Sequence, residues 1–286
     1  MQMKQIDIGI ELHFRPEEQD AARIIERACK RSIPIIHDTW GLTTPSRCRV
    51  FVMTSWLRFV FQSAPWYARI PVAVLFPFWC FHMRKQWKSI GGWTRRYSNC
   101  PAIGVKPPRL IAQSDTSIGE LIFVKEPDLN KKAEHITCHE MAHALSAPLK
   151  LPLWINEGIA MVTVDRFFGH PTVKSDTLGS LNQSSRRQTV ATYRHLPKMR
   201  KEDIAYHYVR GYWITRFLMD TRPGLLRDML KKRERHRSIE EKIASSLGIS
   251  PWAFWDRIDH AVVEHFRQRL ETNEQCAAPE IGGHRA

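Results

Sequence analysis

His139-Glu140-Met141-Ala142-His143, followed at a short distance by Trp154-Ile155-Asn156-Glu157-Gly158, is the stretch on which the reading of this chain turns. In a helix, residues four apart stand one above the other, with Cβ atoms about 5–6 Å apart. Two imidazoles held that way can share one zinc ion at about 2.0–2.1 Å each. Glu140 follows His139 by one residue, so it points to the flank of the metal rather than at it. There it can take a proton from a metal-bound water. Glu157, arriving on a second helix, supplies the third ligand and leaves the fourth position open.

The flanking residues support two helices. With 13 histidines in 286 residues, chance alone puts such a pentapeptide in about one chain in thirty, so context decides. Asp128 suits an N-cap ahead of the histidines. Ile136, Met141, Ala144 and Leu145 continue a helical apolar pattern around them. Pro148 and Pro152 end the helix and turn the chain. A second helix over 153–168 then brings Glu157 back toward the pair.

The segment His139-Glu140-Met141-Ala142-His143-Ala144-Leu145, with Leu153-Trp154-Ile155-Asn156-Glu157-Gly158-Ile159-Ala160, resembles the gluzincin metallopeptidases. Within them it is similar to the peptidase-MA-like group, which carries W-x-N/S-E-G-x-A shortly after H-E-x-x-H. Tyr208-Val209-Arg210-Gly211-Tyr212-Trp213 resembles that group's tyrosine-bearing helix, and the resemblance extends over about Asn130 to Arg269. It implies a zincin-like fold, one Zn²⁺ and hydrolysis of a peptide or protein substrate. It also implies that Tyr208 donates its phenol to the oxyanion, with Tyr212 and then His207 as alternates. Core packing is the competing role for these aromatics. A strand over Glu120–Lys125 would be the edge that holds extended substrate.

Two related arrangements do not fit. Metzincins need glycine and histidine where this chain has Ser146 and Leu149. Thermolysin-like enzymes place an acid where Met161 stands, which leaves Asp165 as the candidate partner of a zinc histidine.

The second unusual feature lies upstream. Residues 39–114 contain no Asp or Glu but hold eleven of the Lys and Arg and six of the ten Trp, and most of the net charge of +14 traces to them. The apolar run Ile70 to Phe81 at their centre is too short for a bilayer, which takes about 20 residues. Three readings compete. The block is a half-buried layer over the catalytic helix with its cations in water, a peripheral surface for anionic membrane, or a groove for nucleic acid. No nucleic-acid-binding motif accompanies it, so nucleic acid ranks last.

These features predict an α+β fold, with a small mixed or antiparallel N-terminal sheet and a mostly helical C-terminal half. The expected organisation is an α/β portion over 1–127, a catalytic helical portion of the same zincin-like domain over 128–271, and a frayed tail over 272–286. Met1 to Gln19 shows no apolar signal core. The six cysteines are scattered without a C-x-x-C pair, and Cys138 reads as packing. Both facts predict a cytoplasmic protein, with peripheral membrane attachment as the variant; oligomeric state stays open. Further expectations are an amphipathic helix over 16–31, a strand over 49–53 and a polar loop over 169–197. Ser238 and Glu241 should form a capping box, and a last helix from Ser250 should align Trp252, Trp255, Ile258, Val262 and Phe266. Beside the zinc peptidase stand two alternatives, a catalytically silent zincin-fold binding module and a membrane or nucleic-acid surface protein.

Overall fold

The computed structural model describes residues 1–7, 9–70, 73–74, 84, 87–97, 100–114, 117–182, 192–193, 195–231 and 236–277. β1 (Gln2–Asp7) and β2 (Ile10–Phe14) form an antiparallel hairpin turned at Gly9. Gly9 has φ 81°, and a Cβ there would meet the Ser46 carbonyl oxygen at 2.6 Å, so only glycine fits. β2 buries Ile10, Leu12 and Phe14 on alternate positions. Helix α1 (Gln19–Trp40) then crosses over to β3 (Cys48–Val52). After α2 (Trp56–Ser63) come β4 (Gly92–Tyr97) and β5 (Cys100–Val105).

The sheet is mixed, in the order β1-β2-β3-β5-β4. β2, β3 and β5 run parallel, while β1 and β4 are antiparallel edges. The central strand β3 is covered on both faces, as parallel strands usually are. Cys48 and Val50 join the main core, whereas Phe51 joins Phe59 of α2 in a second cluster, with ring centroids 5.6 Å apart.

The rest is helical: α3 (Pro108–Ile111), α4 (Ser117–Ile122), α5 (Leu129–Ser146), α6 (Leu153–Phe168), α7 (Lys201–Thr221), α8 (Leu225–Lys231), α9 (His236–Ser246) and α10 (Phe254–Ala277). The chain is therefore α+β, with the sheet N-terminal and the helices C-terminal. One continuous buried cluster runs from Ile6 in β1 to Phe266 in α10. α6 and α7 meet backbone to backbone at two glycines. A Cβ on Gly158 would strike Thr215 and the Gly211 carbonyl, and a Cβ on Gly211 would strike the Trp154 carbonyl. No helix among the described residues is long and apolar enough to cross a membrane.

Several local expectations need correction. The helix expected over 16–31 continues to Trp40 through Pro34. Pro34 sits on the exposed side, where the carbonyl it leaves unpaired can meet water. Buried Ile36 and Trp40 extend the apolar stripe until Gly41, φ 68°, ends it. Glu120–Lys125 is not a strand. Ile118 and Ile122 lie one helical turn apart and face the core from α4, and only Phe123 makes a bridge, to Val173.

The polar stretch after Gly169 is partly packed: a 3₁₀ run over Ser175–Asn182 buries Leu178 and Leu181. Ser238 lies inside α9 rather than capping it. Trp252 is 91% exposed, and Phe254 takes the core position expected of it. The expected tail is helical as far as Ala277; residues 278–286 lie outside the described ones.

Candidate metal centre

The Asp128 carboxylate starts α5 by accepting from the backbone N–H of Asn130 at 2.8 Å and Lys131 at 3.4 Å. Most of α5 is then sunk in the core, with Ala133, Thr137, Met141, Ala142, Ala144 and Leu145 buried. Cys138 is fully buried among Ala28, Val164 and Phe167, and desolvation pushes its thiol up to about 12, so it is packing. His139 and His143 occupy the remaining face one turn apart. Their rings are perpendicular, and their Nε2 atoms lie 3.0 Å apart.

A 3₁₀ turn at Ala147–Leu149 and a left-handed Lys150, φ 51°, reverse the chain, and Pro152 opens α6. This brings Glu157 back to the histidines. Its Oε2 is 3.3 Å from Nε2 of His139, and its Oε1 is 3.5 Å from Nε2 of His143. Among the described residues, these are the three His, Cys, Asp or Glu side chains whose ligand atoms converge, all within 4.8 Å.

Electrostatics at the centre follow from burial against pairing. Burial alone would raise the Glu157 carboxyl, but the His143 and His139 imidazoles outweigh it and hold it well below the usual carboxylate range. Burial alone would lower His143. The Glu157 carboxylate, with help from Glu140 and Asn156, instead pushes it up to about 9. The centre is thus a buried anion facing two imidazoles. A divalent cation can take over that attraction with the imidazoles neutral.

The residues fit such an ion. Donors bound tetrahedrally to zinc at about 2.0–2.1 Å stand roughly 3.3 Å apart; the two Nε2 atoms are 3.0 Å apart and Glu157 Oε2 is 3.3 Å from that of His139, while the 3.5 Å contact to His143 is made by the other oxygen, Oε1. Oε2 of Glu157 is buried with no hydrogen-bond partner, the state of a carboxylate oxygen left for a metal. Two imidazoles and a carboxylate are also a familiar zinc donor set.

Glu140 does not join this cluster. Its Oε2 accepts a hydrogen bond of 2.6 Å from Thr94 Oγ1 on β4, and the same hydroxyl lies 3.2 Å from its backbone carbonyl. The strand approaches this closely because Gly92 has no side chain. A Cβ there would lie 2.5 Å from Ile136 Cγ2 and 2.6 Å from Glu140 Cγ. The edge strand beside the motif helix is therefore β4, not the segment 120–125. The Gly91-Gly92 pair entering a strand was the available sequence signal.

The tyrosines divide. Tyr208 is half-buried; burial, then the charges of Glu157 and Glu140, raise its phenol well above the usual range. Tyr212 is fully buried, and its hydroxyl donates to Asp165 at 2.7 Å and accepts from Arg216 at 2.9 Å. That corrects two expectations. The Tyr212 hydroxyl is committed to Asp165, and Asp165 is committed to Tyr212 and to Thr172, whose N–H and hydroxyl reach it at 2.7 and 2.8 Å. Neither serves the histidines. His207 is buried edge-on to Tyr206.

Tyr193 escaped the sequence reading. Its hydroxyl donates to Glu157 Oε1 at 2.8 Å and accepts from Asn156 Nδ2 at 2.5 Å, while Asn156 Oδ1 accepts from Ser146 at 2.8 Å. A lone tyrosine in a polar stretch carries no periodic signal, so the sequence could mark that stretch only as a polar loop. Comparison with protein-family models and with curated proteins gives no match.

Proposed function

We propose that this protein is a zinc-dependent peptidase of zincin-like fold, with one ion held by His139, His143 and Glu157. One observation carries the reading. Two imidazoles and a buried carboxylate converge, their ligand atoms within 4.8 Å of one another, beside a second carboxylate, Glu140, already held in place by an edge strand. Bound there, zinc would supply Lewis-acid chemistry, making water a better nucleophile and polarising a carbonyl.

The chain's own groups supply the rest. Glu140 accepts the proton of the water that attacks the scissile carbonyl and later delivers it to the leaving amine. Thr94 fixes which oxygen of Glu140 is free to do so. The Tyr208 phenol, kept protonated by its surroundings, donates to the developing oxyanion, a contact typically worth about 2.7–4 kcal/mol. Tyr193 orients Glu157 through Oε1, leaving Oε2 for the metal. Among the described residues β4 ends the sheet, so an extended peptide can pair along its outer edge as an added strand. This favours peptides over small esters as the substrate class.

The test is proteome-wide cleavage profiling of wild type, Glu140→Gln and Tyr208→Phe, with metal content measured by mass spectrometry. Wild type and Glu140→Gln should each carry one zinc per chain, and Glu140→Gln should yield no new termini. Tyr208→Phe should cut the same sites about a hundredfold more slowly. Equal cleavage by wild type and Glu140→Gln would remove Glu140 as the base, and a metal-free wild type would remove the zinc reading altogether.

A further inference from the structure

Exposed large apolar side chains are ordinary when scattered but informative when grouped. Among the described residues there are ten, and four lie within nine positions: Trp66, Tyr67, Ile70 and Val74, 57–77% exposed. Trp66 and Ile70 stand four apart within the helical residues 66–70, which puts them on one side. Arg58 and Arg69 are exposed nearby in sequence, and no carboxylate among the described residues pairs with either. The whole interval 39–114 lacks acidic residues, so no carboxylate of its own can neutralise these cations.

We propose that this face docks on an anionic lipid membrane, lying on the surface without crossing it. Charge complementarity names the occupant. Arginines with no acidic neighbours attract anionic headgroups, while tryptophan and tyrosine settle at headgroup depth and isoleucine and valine enter the acyl boundary. Single-stranded nucleic acid would use the same cations and aromatics, but Ile70 and Val74 offer no ring for a base to stack on. The chain continues in sequence with Leu75-Phe76-Pro77-Phe78-Trp79, an apolar run far short of the roughly 20 residues a spanning helix needs.

The face is tied to the candidate metal centre through β4. Trp93 of β4 lies 5.9 Å from Phe59 of α2, and Tyr97 shares a 3.2 Å hydrogen bond with Ser63 at the end of α2. Arg69 donates to the Ala64 carbonyl just beyond it at 3.2 Å. The next residue of β4, Thr94, holds Glu140. The same edge of the sheet thus supports both surfaces. The docking proposal nevertheless stands apart from the hydrolytic reading, and each can fail alone.

The experiment is co-sedimentation of the full chain with phosphatidylcholine vesicles, with and without phosphatidylglycerol, at low and high salt. The variants are Trp66→Ser/Ile70→Ser and Arg58→Gln/Arg69→Gln. Trp66 and Ile70 lie largely in solvent and both arginines are exposed, so thermal unfolding should match wild type apart from the one hydrogen bond that Arg69 gives to Ala64. Wild type should bind the anionic vesicles at least about tenfold more tightly than the neutral ones, and salt should erode that preference. Each double variant should lose about tenfold or more. Equal sedimentation of wild type and the Trp66/Ile70 variant, absence from both vesicle pellets, or retention by single-stranded DNA but not by vesicles would each overturn the proposal.

Discussion

The hydroxyl of Thr94 lies 2.6 Å from one oxygen of Glu140, within the range of a charge-assisted hydrogen bond. A carboxylate free to rotate presents its basic oxygen to water for only part of the time; one tethered through Oε2 presents the other continuously. Thr94→Val keeps the shape and removes the tether. With Glu140 as the proposed base, we expect kcat to fall about tenfold with KM nearly unchanged, an unaltered melting temperature, and recovery in Thr94→Ser. A loss confined to KM, or a serine variant as poor as valine, would make Thr94 a packing residue instead. Glu140 was legible from its place between two histidines. Thr94 was not, because the hydrogen bond joins residues 46 apart in sequence, and nothing local marks a threonine in a strand as the partner of a distant acid.

Two helices carry His139, His143 and Glu157, and their contacts decide how well these side chains meet. α6 holds Glu157, and its first two turns press on α7 where Gly158 and Gly211 face each other. Gly211→Ala would drive a methyl into the Trp154 carbonyl, and two packed backbones have little room to give. It should cost about 1–3 kcal/mol in urea unfolding. Gly179→Ala, with nothing within 4 Å of the added carbon, should stay within about 0.5 kcal/mol of wild type. Equal effects at the two sites would show that helix separation does not matter here. The ends of α5 and α6 were readable because Asp128 and Pro152 act on the backbone next to them. The strand beside α5 was misplaced because Glu120–Lys125 is as apolar as a strand. Only the burial of Ile118 and Ile122 on one face shows its helical period.

Across the whole molecule, the last helix is fastened to the tyrosine helix by a buried ion pair. Arg210 of α7, 2% exposed, donates to Asp259 of α10 at 2.9 Å and to the Trp255 carbonyl at 3.2 Å, and Trp255 also stacks against its guanidinium. Asp259→Ala leaves that guanidinium buried without its counter-ion and should cost about 3–5 kcal/mol. Replacing both partners, Arg210→Met with Asp259→Leu, should recover much of the loss. A single variant as stable as wild type would mean that water reaches the pair. The continuous core explains why such a remote contact bears on the site. α10 packs on α7, α7 on α6, and α6 presents Glu157.

By itself, the sequence determined which two histidines and which glutamate come together, the two helices that bear them and the division into an N-terminal sheet and a helical remainder. Each of these depends on spacing within one element or one turn, where geometry is set by neighbouring residues. The tertiary structure alone decided which strand lies beside the motif helix, which tyrosine hydroxyl meets Glu157, and that Asp165 serves Tyr212 rather than a histidine. It also decided that Trp66 and Ile70 point into solvent while Phe59, on the preceding helix, is buried. Those outcomes depend on which surfaces remain for distant segments to cover once the core has closed, and no local pattern encodes that.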